Sequence, residues 1–386
     1  MNKRLIYMDH SATTPVREEV VEAMLPYLRE YYGNPSSIHF AGRTVRRAVD
    51  EARAKTAELL GAEPEEIYFT AGGTESNNII LRGTARKHGK PGHIITSSIE
   101  HHAVLDVCKD LEADGYSVTY LPVDNYGRVQ VDDLRQAITP ETFIISIMMA
   151  NNEIGTLQPV NEIAELAQQR NILFHTDAVQ VGGHLPLDLR SLKADFISLS
   201  AHKFNGPKGI GLLFRRKGTQ LAPLYRGGGQ ERKLRPGTEN VPGIIGLAKA
   251  LELAVAEMEA QRKQLENLRS KLINGLLAIE GALLNGHPVE RLPGNVNVSF
   301  QHIEGEAVLL SLDLEGIAAS SGSACSSGSL EPSHVLSAIG LDHATAHGSI
   351  RFSLGLGNSE ADIDYLLARL PRIVEKLRLM SPTYYA

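Results

Sequence analysis

The stretch Ala194-Asp195-Phe196-Ile197-Ser198-Leu199-Ser200-Ala201-His202-Lys203 decides how this chain is read. Its first part is a short apolar run of the kind that forms a buried strand, and it delivers Lys203 at its end. Upstream, Phe174-His175-Thr176-Asp177-Ala178-Val179-Gln180 delivers Asp177 in the same way. A lysine at the end of a buried strand is not ordinary surface charge. Paired with a carboxylate from a second strand, it suits pyridoxal phosphate (PLP). The amine would hold the PLP aldehyde as an imine, and the carboxylate would keep the pyridine nitrogen protonated.

Working outward, short apolar runs fall at 66–70, 93–97, 118–122, 143–148, 172–176, 196–199 and 211–214. Amphipathic helical patterns lie between most of them, as at 77–87, 103–113, 132–137 and 160–170. Near-continuous apolar strands alternating with helices predict an α/β fold with a mostly parallel seven-stranded sheet covered on both faces. Ligands of such sheets bind beyond the carboxyl ends of the strands. Gly72-Gly73-Thr74-Glu75, Glu100-His101, Asn151-Asn152-Glu153, Asp177 and Lys203 all follow apolar runs and fall there. After about residue 240 the pattern changes to one or two long helices over 242–277, β-like pieces at 295–300 and 349–354, and helices at 306–314 and 362–379. This predicts a smaller α+β domain of residues 1–14 and 261–386, with 5–9 as an extra strand, beside a large PLP-binding domain of residues 15–260.

With 386 residues the chain is long for one simple core, and 42% hydrophobic with 22% charged residues is ordinary for a globular protein. A net charge of −6 argues against a nucleic-acid partner. Cys108 and Cys325 are the only cysteines, which excludes a disulfide scaffold and a cysteine-only metal site. No apolar run approaches the ~20 residues of a membrane span, and the first apolar stretch ends at Asp9, too short for a signal peptide. The expected location is the cytoplasm.

Gly72-Gly73-Thr74 reads as a glycine turn before a helix, either an anion cradle, with Thr74 adding a hydroxyl, or a plain helix cap. His101 could stack on a cofactor ring and move protons, or cap the helix that it opens. Gln180 could reach the ring hydroxyl or simply begin a helix. Ser200-x-x-Lys203 also matches the nucleophile motif of penicillin-binding serine enzymes, but it precedes a turn and lacks the companion motifs. Cys325 lies among Gly and Ser in Ser320-Ser321-Gly322-Ser323-Ala324-Cys325-Ser326-Ser327-Gly328-Ser329, which favours a thiol that reaches substrate over a buried structural one. Cys108, on an apolar helical stretch, fits the buried alternative. Arg351 in an apolar strand needs an anion, either a substrate carboxylate or an internal Asp or Glu.

The chain resembles the cysteine desulfurases of the NifS/IscS type, PLP enzymes of the class V aminotransferase group and fold type I. The resemblance is carried by Asp9-His10-Ser11-Ala12-Thr13-Thr14-Pro15, Gly33-Asn34-Pro35-Ser36-Ser37, Asn151-Asn152-Glu153-Ile154-Gly155, Gly227-Gly228-Gly229-Gln230-Glu231-Arg232 and Gly237-Thr238-Glu239-Asn240. Most specific are Ala318-Ala319-Ser320-Ser321-Gly322-Ser323-Ala324-Cys325 and Gly328-Ser329-Leu330-Glu331-Pro332-Ser333-His334-Val335-Leu336. The long loop around Cys325 is similar to that of the members that serve iron–sulfur scaffolds, and unlike that of the selenocysteine lyases. The 328–336 segment and the Ser381-Pro382 ending look somewhat more like NifS, the nitrogenase-related type.

The resemblance implies that Lys203 holds the cofactor, Asp177 pairs with the pyridinium, Gln180 meets the ring oxygen and His101 stacks on the ring. It implies Gly73, Thr74, Ser200 and His202 around the phosphate, Thr238 reaching in from a second subunit of a homodimer, and Asn152 touching the cofactor. Asn34 and Arg351 would hold the carboxylate of L-cysteine. Cys325 would take the sulfur as a persulfide, leave L-alanine, and pass the sulfur to a scaffold protein or another acceptor, with which it could transiently share an iron of a nascent cluster. Gly355-Leu356-Gly357-Asn358 departs from many members, which have an Arg after the first Gly and then Thr-rich residues. A selenocysteine lyase or another class V PLP enzyme is the alternative. It would keep Lys203 and Asp177 without needing Cys325.

Overall fold

The computed structural model describes residues 5–321 and 332–381. The chain enters through β1 (Ile6–Tyr7) and two helices, Glu18–Arg29 and Phe40–Leu60, before the alternating pattern begins. Then follow β2 (Ile67–Thr70), β3 (His93–Ser97), β4 (Ser117–Leu121), β5 (Thr142–Ser146), β6 (Leu173–Asp177), β7 (Phe196–Ser200) and β8 (Gly211–Arg215). They form one seven-stranded sheet in the order β2-β8-β7-β6-β5-β3-β4, in which β8 runs against its two neighbours and the other pairs are parallel. The expected mostly parallel sheet is therefore present, and each strand begins and ends within a residue or two of its apolar run.

Successive strand residues point to opposite faces and feed two cores. Ile95, Ile145 and Ile197 pack in one, and their neighbours Ile94, Ile144 and Phe196 in the other. On the second of these faces His175 of β6 joins Ser146 of β5 at 2.8 Å and Ser198 of β7 at 3.1 Å. Burial pushes its pKa down to about 3, so the ring is neutral and bridges the two hydroxyls as donor and acceptor. β5 stops at Ser146, short of the expected 148, as the Met148 amide leaves the ladder. Ile147 N–H still donates to the His175 carbonyl of β6, and Met148 N–H donates to the Glu100 carboxyl group.

Beyond β8, one helix covers Val241–Leu277, with Pro242 in its first turn and Asn240 capping it by accepting the Gly243 amide. Its first half, from Val241 to Leu251, packs in the large core. Leu265, Leu268, Leu272 and Leu276 pack in a separate one. That second core lies on an antiparallel sheet of β9 (Ala282–Asn285), β10 (Asn295–Phe300) and β12 (Ser349–Ser353), in the order β12-β10-β9. β11 (Ile317–Ala318) pairs with β1, so the amino-terminal strand joins this part of the molecule as expected. Asp9 then bridges to Ser353 of β12, and the chain crosses back toward the large sheet.

Candidate active site

The parallel strands end on one edge, and the loops beyond them enclose a cavity of about 1030 Å³. It is lined by Gly73, Thr74, His101, Asn152, Asp177, Gln180, Ser200, His202, Lys203 and Arg351. Ten of the residues expected from the sequence therefore meet in one place.

Asp177 is the last residue of β6. Its Oδ1 accepts the Val179 amide at 2.9 Å and its Oδ2 accepts Asn77 Nδ2 at 2.7 Å, which orients the carboxylate from two sides. β7 ends at Ser200, and the short turn Ala201–Lys203 carries Lys203 into the cavity. Lys203 Nζ donates to the carbonyls of Ser11 at 2.5 Å and Ala12 at 2.8 Å, while its own carbonyl accepts His184 Nε2 at 2.8 Å. Gln180 Nε2 donates to the same Ser11 carbonyl at 3.1 Å. His202 Nδ1 lies 3.1 Å from Thr13 Oγ1, and burial, aided by the nearby Lys203 and Lys208 charges, pulls its pKa down to about 4.

The helix Gly73–His88 begins at the cavity wall. A Cβ on Gly73 would lie 2.6 Å from Val179 Cγ2, so glycine is what lets this helix start so close to the loop after β6. Its free N–H groups, with Thr74, Ser200 and the neutral His202, make a polar cradle for an anion. His101 serves as the cap of the helix His102–Ala113, its Nδ1 accepting the Ala103 amide at 3.0 Å, and it also lines the cavity. The capping role is observed, and the cavity position leaves room for the other. Burial holds its pKa below the usual histidine range against the opposing pull of Asp177. Taken together, a carboxylate, an amine, a histidine and a helix-start cradle fit the ring nitrogen, aldehyde, ring face and phosphate of PLP.

For Arg351 the internal alternative is the one observed, at a position that faces the cavity. It lines the cavity, and it pairs internally with Asp9 at 2.9 Å while donating to the Asn152 carbonyl at 3.0 Å. Asn34 departs from its expected place. It is exposed outside the cavity lining, and its Oδ1 accepts the Ser36 amide at 2.9 Å in the turn before a helix. Thr238 is exposed and is not a lining residue of its own chain's cavity. Cys325 lies outside the described residues. Cys108 is buried, and burial raises its thiol to about 12, as expected for an inert cysteine. In the Gly355–Asn358 run, Asn358 Oδ1 accepts the Gly355 amide at 2.8 Å and its Nδ2 donates to the Tyr7 carbonyl at 2.9 Å, which ties the run to the amino-terminal segment.

Sequence reasoning missed several participants. Asn77 orients Asp177 from the first turns of a helix, and no spacing rule marks it. The carbonyls of Ser11 and Ala12 act through backbone, which residue types do not reveal. Asp9 and Glu153 stood inside recognised motifs without a role. Glu153 lines the cavity and accepts Ser333 Oγ at 2.6 Å, and burial raises its carboxyl to about 7.

Comparison with known proteins agrees with this geometry. Residues 6–366 match the aminotransferase class-V family. The chain belongs to that family, whose members use PLP. It is 59% identical over 382 residues to the cysteine desulfurase IscS of Methanosarcina thermophila, covering 98% of this chain and 94% of the relative. Within the family it falls among the cysteine desulfurases of the NifS/IscS type. Among solved structures it is similar to a NifS-like protein, with a TM-score of 0.92, 43% identity and coverage of 97% and 100% of the two chains. It is also similar to SspA in complex with cysteine, with a TM-score of 0.82, 39% identity and coverage of 90% and 98%.

Glu100, next to His101, is a buried carboxyl that receives Ser97 Oγ at 2.5 Å and the Met148 amide at 2.9 Å. Burial raises its pKa from the ordinary 4.5 to about 8. The folded state therefore holds a proton that the unfolded chain releases, and stability falls as pH rises between those values. Glu100→Gln should lose less stability than wild type between about pH 5 and pH 8 in urea unfolding. Parallel losses in the two proteins would show that Glu100 is ionised when folded.

Proposed function

We propose that the chain moves the sulfur of L-cysteine onto Cys325 and releases L-alanine, as a PLP-dependent cysteine desulfurase. The reading rests on the convergence of Lys203, Asp177 and Arg351 on one cavity. PLP, when bound, draws electrons from the substrate Cα so that a proton can leave it and the carbon–sulfur bond can break. Lys203 holds the cofactor at rest and, once freed, carries the proton at Cα. Asp177 keeps the ring nitrogen protonated. His101 moves a second proton. Gly73, Thr74, Ser200 and His202 hold the phosphate, and Asn152 and Gln180 fix the ring. Arg351 takes the substrate carboxylate. The Cys325 thiolate attacks the substrate sulfur, so that a sulfur–sulfur bond forms as the carbon–sulfur bond breaks and the carbon regains its protons as alanine.

The sulfur then passes to an acceptor thiol on an iron–sulfur scaffold, where Cys325 can briefly share the cargo iron. The chain divides functionally into 15–260 and 1–14 with 261–386, and it works in the cytoplasm. No helix among the described residues is long and apolar enough to cross a membrane. A homodimer supports the reading of Thr238, which would meet a partner's cavity. Leu28, Tyr32, Ile38 and Phe40 are 60%, 84%, 90% and 76% exposed, a hydrophobic concentration that a second copy would cover. Sedimentation should give a dimer, and a monomer for Ile38→Asp with Phe40→Asp; a monomeric wild type contradicts the assignment.

The deciding test is alanine and sulfide release from L-cysteine beside Cys325→Ala. The variant should keep the cofactor colour and lose at least about 100-fold in turnover. Undiminished alanine release by the variant would favour a selenocysteine lyase instead.

A further inference from the structure

Arg351 is a buried cation that meets a resident carboxylate before any substrate arrives. Its side chain is 3% exposed, and Asp9, at 21%, contacts Nη2 at 2.9 Å. Nη1 donates to the Asn152 carbonyl at 3.0 Å, and Nε is buried without a hydrogen-bond partner among the described residues. The backbone around Asp9 is tied to the strand that carries Arg351. His10 N–H donates to the Ser353 carbonyl at 3.2 Å, and Ser11 N–H donates to Ser353 Oγ at 2.9 Å. The pair is therefore held by the fold and does not depend on side-chain chance. A substrate carboxylate that takes the same guanidinium must either displace Asp9 or lie beside it as a like charge.

We propose that Asp9 sets the affinity of the site for amino-acid carboxylates. It neutralises Arg351 between turnovers, yields the guanidinium to the carboxylate of L-cysteine, and reclaims it as L-alanine leaves. The proposal rests on Arg351 being the carboxylate partner. A buried guanidinium with no anion is costly, and one with a permanent anion binds substrate weakly. A resident carboxylate with access to solvent lies between those limits and speeds product release. Asp9 is in this view an affinity-setting residue rather than a participant in bond breaking.

Calorimetric titration of the holoenzyme with L-alanine tests this without turnover. Asp9→Asn should bind L-alanine about three- to tenfold more tightly, the range expected when a partly exposed ion pair no longer has to be opened. Its KM and kcat for L-cysteine should fall together. Asp9→Glu keeps the charge and should bind as wild type does, which preserves the test if the Asn variant does not fold. Weaker binding by Asp9→Asn or Asp9→Glu, with Arg351→Ala also weakened, would make Asp9 a mere brace and overturn the proposal. Unchanged binding by Arg351→Ala would remove its premise, a failure distinct from that of Asp9.

Discussion

The neutral bridge of His175 between Ser146 and Ser198 is the interaction on which the site depends. Three central strands share one buried polar patch, on the sheet face that also carries Ile144 and Phe196. A slip of register would strand hydroxyls and an imidazole in that interior, where an unmade hydrogen bond costs about 1–3 kcal/mol. Side chains two residues apart share a face of a strand. Asp177 therefore emerges on the His175 side of β6, and Ser200 on the Ser198 side of β7, with Lys203 in the turn just beyond. Parallel direction then brings the loops after β3, β5, β6 and β7 to the same edge. The chemistry is assembled by register and direction, and the residues that perform it need no contact with one another along the sequence.

The segment Asp9–Thr14 closes that edge from the other side. It leaves the second core at β1, offers Asp9 to Arg351, gives two carbonyls to Lys203 Nζ, and sets Thr13 against His202. One short strap thus touches the group assigned to the substrate carboxylate, the amine assigned to the cofactor, and the histidine assigned to its phosphate. The large and small cores are coupled across the cavity at the positions where substrate and cofactor would meet.

Much of this was legible in the sequence, for a physical reason. Parallel strands buried on both faces read as short apolar runs, so the run 93–97 coincides with β3, and Lys203 and Asp177 stand out as charges at the ends of such runs. His101 and Arg351 each carried two readings; the cap and the ion pair are present, and both residues also face the cavity. What stayed hidden depends on tertiary approach. Asn77 reaches Asp177 across a hundred residues, and Ser11 and Ala12 act through carbonyls that every residue possesses. The helices Glu18–Arg29 and Phe40–Leu60 lie ahead of the strand–helix alternation and escaped it. Asn34 was assigned through family resemblance and is exposed, bonded within its own turn, because nothing in its local spacing says which way that turn faces.

The central claim is that sulfur leaves L-cysteine and bonds to Cys325. A single turnover with isotopically sulfur-labelled L-cysteine, followed by mass spectrometry of the non-reduced peptides, tests it directly. The account predicts one labelled sulfur on the peptide containing Cys325, none on the peptide containing the buried Cys108, and alanine in equal amount. Labelled sulfide released with an equal amount of alanine while Cys325 carries no label at any time during the turnover would contradict it.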